Sequence, residues 1–115
     1  MTEPVVVRSI EDWWRDYAFL THEVLKFTDR QSWDMVLNLL DQRARLQTQI
    51  DEHADRGFAA SAAGQALIGE IMREEQAISQ KMKQLRNQAE NRQKIAKAYD
   101  AFSAVPSGVL LNRGT

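Results

Sequence analysis

A chain of 115 residues has room for one domain that buries about two-thirds of the surface its unfolded form exposes. With 43% hydrophobic and 27% charged residues but only five glycines and two prolines, it reads as a water-soluble helical protein and not as a sandwich or barrel of many short strands. The absence of cysteine excludes disulfides, thiolate nucleophiles and cysteine-ligated zinc, and a net charge of −1 lacks the basic excess of a nucleic-acid binder.

That charge is unevenly divided. Residues 1–55 carry 11 acidic and 6 basic side chains, whereas residues 56–115 carry 5 acidic and 9 basic ones. Two helical blocks with complementary fields are the simplest arrangement. Residues 1–8 have no basic stretch followed by a long apolar one, so no signal peptide is expected. No apolar run reaches the ~20 residues that span a bilayer. A cytoplasmic location without membrane insertion is therefore expected.

The first helix is predicted over 9–29. Ser9 can cap free N–H groups, and Glu11 and Asp12 place negative charge at the positive end of the helix dipole. Its apolar stripe runs Trp13, Tyr17, Leu20, Val24 and Phe27, with Trp14 and Leu25 to one side. Residues 28–31 form a short link that forces an antiparallel hairpin. The second helix, over 32–54, opens on Ser32 and Asp34 and carries Trp33, Val36, Leu37, Leu40, Ala44, Gln47 and Ile50, with Leu39 and Leu46 beside them. Trp13 and Trp33 are expected in the core. From Asp55 through Gly64 the residues are mostly small, which predicts a loop.

The third helix is predicted over 65–102. Its stripe of Ile68, Ile71, Glu75, Ile78, Met82, Leu85, Ala89, Arg92, Ala96 and Tyr99 alternates three- and four-residue steps throughout. Such a helix would be about 57 Å long, whereas its neighbours would cover about 30 Å. The overhang must be bent back, left in solvent or packed against something else. Pro106 and Gly108 stop any helix, and 103–115 is predicted to be a flexible tail with a short apolar clip at Val109, Leu110 and Leu111. The expected fold is thus all-α, with a single domain over 1–102: an antiparallel bundle of three main helices, the third one long, ending in a short C-terminal tail.

No catalytic constellation stands out, and a non-enzymatic role without cofactor or metal is expected. His22 has a lysine four residues on, at Lys26, followed by the bulky Phe27, which does not suit phosphotransfer; it reads as a solvent-facing helical histidine. The cluster Asp51, Glu52, His53 and Asp55 lacks the paired Glu-x-x-His spacing of bundle metal sites and reads as a fraying helix end. Binding surface remains. Lys81, Lys83, Arg86, Arg92, Lys94 and Lys97 stand against one acid, Glu90, in a stretch whose stripe weakens to small residues before Tyr99 and Phe102. It reads either as a solvated face or as a surface for an acidic amphipathic helix. The candidate partner-binding residues are Met82, Leu85, Ala89, Arg92, Ile95, Tyr99 and Phe102.

The run Ser32, Trp33, Asp34, Leu37, Leu39, Leu40 and Arg43 resembles the start of the second helix in the FliT-type flagellar export chaperones, which show a tryptophan and acid, then leucines, then an arginine. Tyr17, Leu20 and Leu25 before it are similar too, as are Leu67, Ile68, Ile71, Arg73 and Glu74 and the later pair Ala98 and Tyr99; the resemblance covers about 10–102. It implies a cytoplasmic helical bundle that binds the filament-cap protein before export through the flagellar type III apparatus. Members also contact export-gate and ATPase-complex proteins, and enteric members inhibit a flagellar master regulator. In some members a short C-terminal segment covers the binding surface; Val109, Leu110 and Leu111 stand in that place, interrupted by Pro106 and Gly108. Two alternatives stay open from the residues: another helical adaptor or self-associating scaffold, as a homodimer, and a binder of nucleic acid or another anionic surface through 81–97.

Overall fold

The computed structural model describes residues 9–104 apart from Ala89; of the tail expected over 103–115, Ser103 and Ala104 are helical instead, extending the last helix, and the part from 105 onward lies outside the described residues. Within them the chain is all-α, with five helices and no strand: α1 (Ile10–Asp29), α2 (Trp33–Glu52), the single turn α3 (Gly57–Ala60), α4 (Ala62–Leu85) and α5 (Arg92–Ala104). The chain folds as two antiparallel hairpins, α1–α2 and α4–α5. The α1 helix packs on both α2 and α4, and α5 closes the ring between α2 and α4.

Local chemistry accounts for the ends. The Ser9 hydroxyl accepts from the Asp12 N–H while the Asp12 carboxylate accepts from the Ser9 N–H, both at 3.2 Å, the reciprocal pair of a capping box. At the other end of α1, the Ser32 N–H donates to the Phe27 carbonyl and the Gln31 N–H to that of Thr28, each at 3.0 Å. This is the double bond pattern of a Schellman motif, with Gln31 in the left-handed position (φ 56°) where glycine is usual. Ser32 therefore does not cap α2 with its side chain; its role there is its backbone.

The expected loop after α2 contains a helical turn instead. Arg56 reaches back to the last carbonyls of α2, donating to Asp51 at 2.9 Å, to Ile50 at 3.2 Å and to His53. That anchor lets 57–60 coil. Ser61 then caps α4, its hydroxyl accepting from the Gly64 N–H at 3.0 Å, so α4 begins three residues earlier than predicted. A Cβ on Gly64 would lie 1.7 Å from the Phe58 carbonyl oxygen, so only glycine admits this approach of α3 to α4.

The largest departure is the long third helix, which ends at Leu85 and resumes, turned back, at Arg92. Of the three fates open to the overhang, it is bent back. The link holds neither proline nor glycine; Asn87 and Asn91, both weak helix formers, stand near its two ends. Burial decides the matter. Folding back takes Ile95 and Ala98 to zero exposure in a cluster with Val36, Leu39 and Leu40 of α2 and Ile78, Met82 and Leu85 of α4. A fully buried isoleucine contributes about 1.5–3 kcal/mol, more than a few helical residues of favourable propensity.

The core is consequently two clusters. One gathers Val24, Trp33, Val36, Leu39, Leu40, Ile78, Met82, Leu85, Ile95 and Ala98; the other gathers Ile10, Trp14, Tyr17, Ile50, Ile68 and Ile71, with Phe58 of α3 packed against it. Trp33 is in the core as expected, but Trp13 is only half-buried, edge-on to His53 with ring centroids 5.5 Å apart. The buried stripe of α1 runs Trp14, Tyr17, Thr21, Val24 and Thr28, a phase that Leu20 and Phe27 flank from partly buried positions. On α2, Leu39 and Arg43 are buried where Leu37 and Ala44 were expected.

Candidate functional site

The α4–α5 hairpin brings the predicted partner-binding residues together, but as a seam. Met82 (0% exposed), Leu85 (7%) and Ile95 (0%) are core side chains, so they do not form an open face in this conformation. Ile95, expected as a partner contact, is a core residue here, and altering it acts on the fold. Tyr99 and Phe102 are half-buried against the same cluster, and Arg92 is exposed. Ala89 lies outside the described residues. The stripe expected to run on through Arg92 and Ala96 does not continue: both are exposed, and Ile95 with Ala98 faces inward because α5 runs the other way.

What the hairpin builds is a seat for a short amphipathic helix. The walls come from Val36, Leu39 and Leu40 on α2 and from Ile78, Met82 and Leu85 on α4; the occupant is α5. The upper rim is polar, with Lys94 Nζ 3.4 Å from the Asp34 carboxylate. The six basic residues are split between two helices: Lys81 is half-buried, while Lys83, Arg86, Arg92, Lys94 and Lys97 are exposed. The α5 outer face is cationic and its inner face is apolar.

At the foot of the seat lies a buried polar network. Arg43, 2% exposed, donates from Nε to the Thr21 hydroxyl at 3.0 Å and from its terminal nitrogen to the Glu75 carboxylate. Its guanidinium lies over the Tyr17 ring, 4.4 Å from the centroid, and 5.5 Å from that of Phe102 on α5. The Tyr17 hydroxyl donates to Gln47 at 3.3 Å, and Thr21 donates to the Tyr17 carbonyl at 2.8 Å. Burial pushes the Tyr17 phenol above its ordinary range; the Arg43 charge opposes this and the Glu75 charge adds to it. The phenol therefore stays neutral and acts as a donor. Sequence reasoning missed this network, although its signal was present: Glu75 sat on an apolar stripe, and Arg43 lies three residues after Leu40 on another.

Elsewhere His22 is exposed on α1, as expected, and its Nδ1 lies 2.6 Å from the Glu74 carboxylate. The Asp51 to Asp55 region forms the end of α2 and its link, and the described residues include no group of three or more side chains suited to hold a metal ion. No described helix is long and apolar enough to cross a membrane. No protein-family model, no curated protein and no solved structure matches the chain. The fold and the seat define a helical bundle that already holds one amphipathic helix in a groove.

Proposed function

We propose that this protein is a FliT-type flagellar export chaperone: a cytoplasmic, non-catalytic bundle that binds a helical segment of the filament-cap protein and keeps it soluble before export. One observation carries the reading. The seat between α2 and α4 holds a 13-residue amphipathic helix, α5, through a few apolar side chains, at the end of a six-residue link. A groove that accepts one such helix suits another of like pattern, and Met82 within it gives the adaptable lining that reversible partners favour. The resemblance around Trp33, Asp34, Leu39, Leu40 and Arg43 supports the same reading, since these residues belong to the α2 wall or adjoin it.

Binding in this reading requires α5 to leave its seat, so the partner competes with it. Contacts with export-gate or ATPase-complex proteins would then use the cationic outer face of α5, which becomes free to move. The experiment is calorimetric titration of the protein with the terminal helical segment of recombinant filament-cap protein. Ile95→Asp, which undocks α5, should bind at least about tenfold more tightly than the unaltered chain, because the competent fraction rises. Absence of binding to both proteins, with circular dichroism showing the bundle intact, would sink the assignment.

A further inference from the structure

We infer that α5 can be exchanged between two copies of this chain, so that the seat on α2 and α4 of each copy is filled by the α5 of the other. The inference concerns the chain's own helix and does not depend on the identity of any export partner.

Three observations converge on a second copy as occupant. First, the link at 86–91 contains neither glycine nor proline. Its residues can therefore be helical, and α4 and α5 can join into one helix over 62–104, about 64 Å long. Second, the surface α5 leaves behind is complementary to α5: Val36, Leu39, Leu40, Ile78, Met82 and Leu85 around Ile95 and Ala98, with Asp34 against Lys94 and the Arg43 guanidinium against Phe102. A second copy brings the same side chains and restores every contact. Third, the two inward faces do not align along a straight helix. Ten residues separate Leu85 from Ile95, which turns one face about 80° from the other. A continuous helix can thus keep its first half in its own bundle and offer its second half to another.

The two arrangements trade one set of costs for another. Opening exposes the α5 face in a lone molecule but removes the turn and adds helical hydrogen bonds; pairing then recovers the exposed area. That balance is the usual basis of helix exchange through a short connection.

The test uses the unaltered chain. Equal amounts of nitrogen-15-labelled and unlabelled protein are mixed at high concentration, warmed to just below melting, cooled and separated by size with light scattering. Zero-length carbodiimide coupling then joins Lys94 to Asp34, whose charged atoms lie 3.4 Å apart. Monomer should give same-isotope linked peptides only, and dimer should give mixed-isotope ones for about half of its linked pairs, as random pairing requires. Arg92→Pro is the discriminating variant. Proline is at home in the first turn of α5 but would break a continuous helix, so the dimer fraction should fall tenfold or more with the monomer intact. If that variant fails to fold, Asn87→Ala with Asn91→Ala supplies the opposite arm and should raise the dimer fraction severalfold by strengthening the link as helix. A chain that stays monomeric throughout, or a dimer whose Lys94–Asp34 links are all same-isotope, overturns the inference.

Discussion

The two ends of the bundle are built differently. At the end where α1 begins, the core of Ile10, Trp14, Tyr17, Ile50, Ile68 and Ile71 is enclosed by three long helices and pinned by α3. Its closures are covalently close and polar: the Ser9 capping box, the Arg56 anchor on α2, and the Ser61 cap with Gly64 pressed on Phe58. At the other end the core is larger, but one wall is a 13-residue helix joined to α4 through a six-residue link. The difference teaches that two cores can be equally well buried and yet be held by unequal closures. What sets them apart is how the covering elements are anchored, and not how little water reaches the side chains beneath them.

The joint between the ends gives the largest expected effect. Arg43→Ala leaves the Glu75 carboxylate largely buried without its cation and should destabilise the fold by about 3–5 kcal/mol, read by urea unfolding. Pairing Arg43→Met with Glu75→Leu should recover most of that loss. A double variant as unstable as the single one would show that the two clusters depend on the charges themselves.

The contrast between the ends is sharpened by truncating one fully buried isoleucine in each. Ile71→Ala should cost about 2–5 kcal/mol and lower amide protection across α1, α2 and α4 together. Ile95→Ala should fall at the low end of that range, with exchange accelerated chiefly in α5. Equal loss of protection across all helices in both variants would mean that α5 does not open by itself.

The smallest effect concerns the turn between α1 and α2. Gln31 holds a left-handed conformation that costs a side-chain-bearing residue roughly 1–2 kcal/mol. Gln31→Gly should raise the melting temperature, the gain being about 1 kcal/mol once glycine's greater freedom in the unfolded chain is subtracted. Unchanged stability would place no strain at that turn.

These features divide by how far they can be read from residue order. The helical character of α1, α2 and α4, the Ser9 cap, the buried Trp33 and the hairpin of α1 and α2 follow from periodicity and capping chemistry, which are local. The α1 phase was misread because adjacent Trp13 and Trp14 both suit a stripe, and the choice depends on Thr21, whose small hydroxyl is needed beside Arg43. The break after Leu85 was illegible for a stronger reason. No residue there forbids a helix; the turn exists because Ile95 and Ala98 gain burial against α2, some sixty residues earlier in the chain. The candidate site shared that fate. Tyr99, Phe102 and Ile95 pack on one cluster, yet whether they face water or core depended on the turn.

The buried Arg43–Glu75 pair also acts as an alignment key. Apolar stripes on long helices repeat every turn or two, so a bundle of leucines and isoleucines could slide by about 5.4 Å and still bury a comparable surface. Such a slide here would separate the guanidinium from its carboxylate and from Thr21, leaving both charges in a dry interior. Only one offset between α2 and α4 escapes that penalty. Because Phe102 rests on the same guanidinium, the offset of α5 is referenced to the same point, and any helix taking its place would meet the same mark.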